Sequence, residues 1–335
     1  MTSVAVVGAG SWGTTLAALL SKKGHDVCLW AFEPEVDDQI KERRENVSYL
    51  PGIELPQNLR STTDLAAALD GVEIVVSVSP AQVVGTVMAE AAAHIDDDAL
   101  VVSASKGIEI TTLRRMDEVI SEVLDPAQME GFTVLSGPSF ALEVAREIPT
   151  ALVAASRNED AAVTVQGLFQ TDYFRVYTGS DVIGVELGGA LKNVIALGAG
   201  VAVGLQCGHN TLAALVTRGL AEMRRLGVAM GARASTFSGL AGMGDLFLTC
   251  TGTLSRNRTV GYCLGQGRTL DSIIGEMSAV AEGVETAYAV HDLAAQYGVE
   301  MPIAGEVFGI LTLGTDPGQA VKNLMGRDPK PEDSL

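Results

Sequence analysis

The stretch VAVVGAGSWGTTLAALLSKKG, Val4 to Gly24, decides the reading of the chain. Four apolar residues, Val4–Val7, form a candidate strand, a glycine-rich turn follows, and Thr14–Lys23 carries an amphipathic helical pattern. Gly8, Gly10 and Gly13 stand at GxGxxG spacing between strand and helix, and the acidic Glu33 follows about twenty positions later. In that context Gly8 allows a tight turn, Gly10 lets the backbone approach a pyrophosphate, and Gly13 lets helix and strand pack closely. The helix N-terminus adds free N–H groups and a positive dipole. The stretch therefore predicts a dinucleotide site, for nicotinamide or flavin. No second glycine fingerprint occurs, which favours NAD or NADP over flavin.

Working outward, short apolar runs recur at Val27–Trp30, Ile74–Val78, Leu100–Ser103, Thr133–Leu135, Ala151–Ala155 and Phe174–Thr178. Amphipathic stretches such as Gln82–His94 and Leu113–Leu124 separate many of them. That alternation predicts an α/β, Rossmann-type domain over residues 1–180, with a doubly wound and mostly parallel sheet. Beyond it the strand signals stop. From Val182 onward, helical patterns at Glu186–Leu205, Thr211–Leu226, Arg256–Leu264, Leu270–Met277, Thr286–Gln296 and Ile303–Leu311 predict an all-α domain over 181–326. The polar tail RDPKPEDSL, 327–335, reads as disordered.

Composition narrows the function classes. The 335 residues are 47% hydrophobic with mean hydropathy +0.26, enough to bury a substantial core. The apolar run Val194–Leu205 is too short to span a bilayer, and MTSVAVVGAG lacks the basic start of a signal peptide, so neither membrane insertion nor export is expected. A net charge of −18 argues against nucleic acid and anionic lipid as partners, so an anionic substrate needs a local basic cluster. Four cysteines without CxxC spacing and four histidines without an HxxxH pair predict no metal site and no disulfide framework, in keeping with a reducing cytoplasm.

The candidate chemistry begins with Lys192, which sits beside Asn193 in the apolar run ELGGALKNVIALGAGVAVGL. A lysine in a core costs several kcal/mol unless it is paired or neutral, and the milder reading is a lysine that snorkels to a domain edge. Its helical neighbours Gly188, Gly189, Ile195 and Ala196 are mostly small, which leaves space for a ligand over the ammonium. Two polar turns follow predicted strands: Lys106 in SASKGIE, and Gly137 with Ser139 in the segment Gly137–Phe140. Asp245 follows three glycines and reads as a turn residue. Ser255, Arg256 and Asn257 read as an N-cap and first turn, either simple capping or a phosphate site.

The motifs GAGSWGTTLA, SASKGIE, SGPSFALEVA, PTALV, ELGGALKNVIALGAG, TRGLAEMRRLG, TFSGLAGMGDLFLTC, SRNR, EGVETA and VEMPI occur in this order. In them the chain resembles bacterial NAD(P)-dependent sn-glycerol-3-phosphate dehydrogenases from Val4 to Ile303. The resemblance implies that Lys192 is the catalytic acid/base and that Lys106 contacts both substrate and cofactor. It places Gly137, Ser139, Asp245, Ser255, Arg256 and Asn257 at a phosphorylated substrate. Ser11, Trp12, Ala141, Arg256, Val280 and Glu282 fall at the cofactor, and a homodimer making glycerol 3-phosphate for phospholipid synthesis is implied.

Two departures stand out. Phe32 occupies a place where many relatives carry a basic or imidazole group, and Ser79–Gln82 with Gly85 lacks the usual hydroxyl and arginine. Phe32 would stack on adenine, while Glu33 would accept from a ribose 2′-hydroxyl and repel a 2′-phosphate, which favours NAD. The competing reading has Glu33 serving the following helix dipole and Arg43 holding a 2′-phosphate. Two other functions stay open on the residues alone: a dehydrogenase of another hydroxy acid, and a non-catalytic dinucleotide sensor.

Overall fold

The computed structural model describes residues 1–277 and 281–332. They divide into two compact units, Met1–Lys106 with Arg115–Val182, and Gly107–Arg114 with Ile183 onward. The segment Gly107–Arg114, counted by the sequence with the first domain, groups with the second unit because Ile108 is fully buried in the helical core.

In the first unit the described strands are β1 (Ser3–Val7), β2 (Asp26–Trp30), β3 (Arg60–Thr62), β4 (Ile74–Ser77), β5 (Leu100–Ser103), β6 (Thr133–Ser136), β7 (Thr150–Ser156) and β8 (Phe174–Gly179). They form one sheet in the order β3-β2-β1-β4-β5-β6-β7-β8. Every described neighbour pairing is parallel except β6 with β7. Val4–Val7 is buried on both faces, which is why β1 reads as an unbroken apolar run. At the sheet edge β8 alternates instead, with Phe174 and Val176 inside and Arg175 and Tyr177 exposed.

Its helices are α1 (Ser11–Lys22), α2 (Pro34–Arg43), α3 (Leu65–Leu69), α4 (Val84–Ala91), α5 (Met116–Ser121), α6 (Pro126–Met129), α7 (Ala141–Ala145) and α8 (Glu159–Phe169). Two expected helices are shorter than their patterns. Leu113 has φ 60°, and α5 begins only after Arg115, whose N–H donates to Glu118 at 3.0 Å. Gln82–His94 is broken into 3₁₀ turns on either side of α4.

The second unit is helical: α9 (Val182–Gly204), α10 (Gly208–Ala229), α11 (Asp245–Thr251), α12 (Arg256–Gly265), α13 (Leu270–Glu276), α14 (Glu282–Tyr297), α15 (Pro302–Thr312) and α16 (Pro317–Met325). At 23 residues, α9 exceeds the expected apolar run and is long and apolar enough to cross a membrane, but 89% of its most apolar window is buried inside the protein. Glycines decide how closely other helices approach it. A Cβ on Gly200 would meet the Arg258 carbonyl, and one on Gly261 would meet the Leu197 carbonyl, so α9 and α12 pack backbone against backbone. The tail expected to be disordered is tethered over its described part, where Arg327 and Lys330 pair with Glu300 at 3.3 and 2.7 Å.

Glu222 of α10 is buried and caps α15, accepting from the N–H groups of Ile303 at 2.8 Å and Ala304 at 3.2 Å. Burial pushes its carboxyl up to about 7 from 4.5, against the pull of those two donors and of Arg225 and Arg327. The folded protein thus holds this proton more tightly than the unfolded chain, so its contribution to stability falls as pH rises from about 4.5 to 7. Thermal denaturation should show a steeper loss of Tm across that window in the wild type than in Glu222→Gln. Separately, Gly261→Ala should cost about 1–3 kcal/mol by overpacking, lowering Tm by roughly 3–10 °C.

Candidate active site

The first unit presents its glycine turn at the sheet's switch point, where the chain proceeds from β1 to β2 on one side and to β4 on the other. Gly8 has φ +127°, and a Cβ there would lie 3.0 Å from the Val78 carbonyl oxygen. A Cβ on Gly13 would run into the Gly8 carbonyl, while Gly10 faces open space. Gly10 is the N-cap of α1 and contributes no side chain, so the first N–H groups of the helix are left for an anion. The helix starts at Ser11, earlier than its apolar pattern. The Trp12 indole N–H is buried without a hydrogen-bond partner. Close packing at two glycines, open space at the third and an unspent donor beside them fit a dinucleotide.

Around this turn, Ser11 donates to the Tyr49 carbonyl at 2.5 Å and the Tyr49 hydroxyl donates to Glu33 at 2.8 Å. Glu33 is the N-cap residue of α2, yet its side chain makes no cap hydrogen bond. Phe32 is 76% exposed and meets Trp30 edge to face at 6.2 Å. Farther along the sheet, Lys106 donates to the Gly137 carbonyl at 3.0 Å, and the Ser139 hydroxyl donates to the same oxygen at 3.1 Å. The structure thus brings three predicted residues, Lys106, Gly137 and Ser139, to one point. Gly137 has φ +146°, and a Cβ there would press on the backbone of Leu152 at 3.1 Å. Ala141 opens α7, and its carbonyl accepts from Thr15 at 3.2 Å.

In the second unit Lys192 lies in the middle of α9 with only 7% of its surface exposed, which removes the snorkelling reading. Its ammonium donates to Asp245 at 2.5 Å and to the Thr249 hydroxyl at 3.0 Å. Thr249 in turn donates to the Asp245 carbonyl at 2.6 Å. Asp245 is not a turn residue: the glycine-rich Leu240–Gly244 forms a π-helical turn that runs into α11, which Asp245 begins. Nor does Gly188 leave room for a ligand, since the Ala241 carbonyl of that turn packs against it. Thr249 was not among the predicted residues, although its place one helical turn after Asp245 is the available signal. Cys250 beside this cluster is an unreactive thiol, pushed up to about 12 by burial.

At the start of α12 the Ser255 hydroxyl accepts from the Arg258 N–H at 3.2 Å, a true N-cap. Asn257 accepts from the Gly283 N–H at 3.0 Å through its side-chain oxygen, joining α12 to α14 beside Glu282. Arg256 is exposed, and its guanidinium has no protein partner among the described residues. Val280 lies outside the described residues.

A doubly wound sheet with a glycine turn at its switch point, joined in one chain to a helical unit built around a buried lysine–aspartate pair, defines a dinucleotide-binding enzyme of the Rossmann class. The comparisons narrow this further. Residues 3–162 match the N-terminal model, and 181–322 the C-terminal model, of NAD-dependent glycerol-3-phosphate dehydrogenase. A relative from Geobacter metallireducens, described as glycerol-3-phosphate dehydrogenase (NAD(P)+), is 58% identical over 329 residues, or 98% of each chain. Glycerol-3-phosphate dehydrogenase from Coxiella burnetii, a crystal structure, is 39% identical with a TM-score of 0.92 over 97% of this chain and 99% of that one. The enzyme from Saccharomyces cerevisiae is 30% identical with a TM-score of 0.82, again over 97% and 99%. The chain belongs to the NAD-dependent glycerol-3-phosphate dehydrogenase family.

Removing Asp245 strands a buried cation. Asp245→Ala should destabilise the protein by about 3–5 kcal/mol in chemical denaturation, and the double variant Lys192→Met with Asp245→Leu should recover much of that loss.

Proposed function

We infer that the chain catalyses the reaction its family is named for, the NAD(P)-dependent interconversion of dihydroxyacetone phosphate and sn-glycerol 3-phosphate. The observation that carries the assignment of roles is Lys192, buried, paired with Asp245, and backed by Thr249. When bound, the nicotinamide cofactor supplies or takes up the hydride at C2. Lys192 delivers a proton to the C2 oxygen as negative charge builds there, and in the reverse direction neutral Lys192 accepts the hydroxyl proton. Asp245 holds the ammonium in position and compensates its charge.

The phosphate is assigned to the N-terminus of α12. Arg256 brings an unspent guanidinium, the Ser255 hydroxyl keeps its own proton to donate, and the Asn257 side chain keeps its N–H₂ because its oxygen serves Gly283. Lys106, Gly137 and Ser139 are assigned to the substrate, with Lys106 also at the cofactor. Gly8, Gly10, Ser11, Trp12, Gly13, Phe32, Glu33, Ala141, Arg256, Val280 and Glu282 are assigned to the cofactor. NAD is the preferred form, a reading supported by the Glu33 carboxylate, which makes no cap bond to the helix it precedes, accepts from Tyr49 and would repel a 2′-phosphate brought to it. The protein acts in the cytoplasm as a homodimer, consistent with four unpaired cysteines, and supplies glycerol 3-phosphate for phospholipid synthesis.

Following NADH oxidation at 340 nm with dihydroxyacetone phosphate tests this directly. Lys192→Met should lower kcat by about 10²–10⁴-fold while the Kd for NADH stays near wild type. Arg256→Ala should raise KM for the phosphorylated ketone by about 10–100-fold, the worth of a charge-assisted hydrogen bond. Equal rates on dihydroxyacetone and its phosphate would refute the α12 assignment.

A further inference from the structure

We propose that Tyr49 is a positioning residue for cofactor choice, its hydroxyl holding the Glu33 carboxylate in the orientation that accepts the adenosine 2′-hydroxyl of NAD. The proposal rests on the reading of Glu33 as the residue that favours NAD. Free of such a hold, a carboxylate at the N-cap of α2 would turn to the exposed N–H groups of that helix, where an acidic cap normally binds. Here it makes no cap bond and accepts from Tyr49 at 2.8 Å instead. The phenol's pKa is raised first of all by this hydrogen bond, so the donor keeps its proton at neutral pH.

Tyr49 is itself fixed by the dinucleotide turn. Its carbonyl accepts from Ser11 at 2.5 Å, and its N–H donates to Asn46 at 3.0 Å. Asn46 is wholly buried and donates from its side chain to the Ala9 carbonyl and the Thr14 hydroxyl, both at 2.8 Å. The glycine turn, Asn46, Tyr49 and Glu33 therefore form one connected set of hydrogen bonds in which pyrophosphate-side backbone and ribose-side carboxylate share a frame. A carboxylate with one oxygen satisfied by a fixed phenol presents its remaining lone pairs in a set direction, which suits a hydroxyl donor and opposes a phosphate dianion.

Tyr49→Phe isolates the hydroxyl, because the backbone bonds to Ser11 and Asn46 and the ring all remain. Isothermal titration would give the Kd of NADH, NADPH and the 2′-deoxyadenosine analogue of NADH for wild type, Tyr49→Phe and Glu33→Gln. Tyr49→Phe should weaken NADH about fivefold to tenfold, leave the 2′-deoxy analogue within about twofold, and narrow the NADH-to-NADPH ratio by a similar factor, the worth of one hydrogen bond. In turnover the same change should appear in KM for NADH rather than in kcat. Equal weakening of all three ligands would mean a merely structural role and overturn the proposal. A ratio altered in Glu33→Gln but not in Tyr49→Phe would overturn it too, while leaving Glu33 as the discriminating residue. If neither variant changes the ratio, or the wild type prefers NADPH, the reading of Glu33 fails and the proposal falls with it.

Discussion

The helical unit is arranged around one buried ion pair. An ammonium and a carboxylate out of water each carry a desolvation cost of several kcal/mol, which only close approach and full hydrogen bonding offset. Lys192 meets that demand with Asp245 at 2.5 Å and Thr249 at 3.0 Å. Both partners lie on α11, so α11 must come close to α9, and Gly188 permits it by accepting the Ala241 carbonyl where any Cβ would collide. The π-helical turn Leu240–Gly244 inserts extra backbone just before Asp245, re-aiming the first residue of α11 toward the lysine. Glycine at 188 and the unusual turn are consequences of the pair. Farther along α9, Gly200 and Gly204 admit α12 in the same manner, so the helix that holds the lysine also seats the helix that carries Arg256.

In the sheet unit the corresponding constraint is a turn whose backbone N–H groups must stay unspent. A loop that leaves donors free is easily distorted unless something else holds it. The segment after α2 does so from outside the turn. Arg44 takes the left-handed conformation at φ 53° and bonds the Leu59 carbonyl at 3.0 Å, which brings Asn46 under the turn to hold Ala9 and Thr14. The turn keeps its shape because the acceptors beside its donors are occupied by protein.

What the sequence made legible follows from where local pattern and tertiary demand coincide. β1, β2, β4 and β5 are buried on both faces, so continuous apolar runs mark them; β3 is a three-residue edge strand, Arg60–Thr62, with one buried position and no such run. In α16 the Pro317–Gly318 pair looks like a turn, although proline at the first helical position after the Asp316 cap suits a helix. The same punctuation misleads at Gly239–Asp245, where glycines mark close packing and a π turn. The burial of Lys192 was legible from its apolar neighbours, but its partners were not, because Asp245 lies 53 residues away and only the fold joins them. Tyr49 and Asn46 carried no motif at all; their hydrogen bonds with Ser11, Glu33, Ala9 and Thr14 join residues that only the fold brings together, which sequence spacing does not encode.

Net charge places a last demand on the site. At −18 the protein's long-range field repels a phosphorylated ketone, and that field is screened over about 8–10 Å at physiological salt, so attraction must come from groups in contact. Several arginines are not available for it: Arg60, Arg115, Arg157, Arg268 and Arg327 are spent on Asp26, Asp117, Glu276 and Glu300. Arg256 is exposed with no protein partner among the described residues, on the first turn of a helix whose dipole adds to its charge. In a chain this acidic, an arginine left unpaired at a helix N-terminus gives up the easy compensation that surrounding carboxylates offer. The phosphate site proposed at this helix end would restore that compensation, with a phosphate in the carboxylate's place.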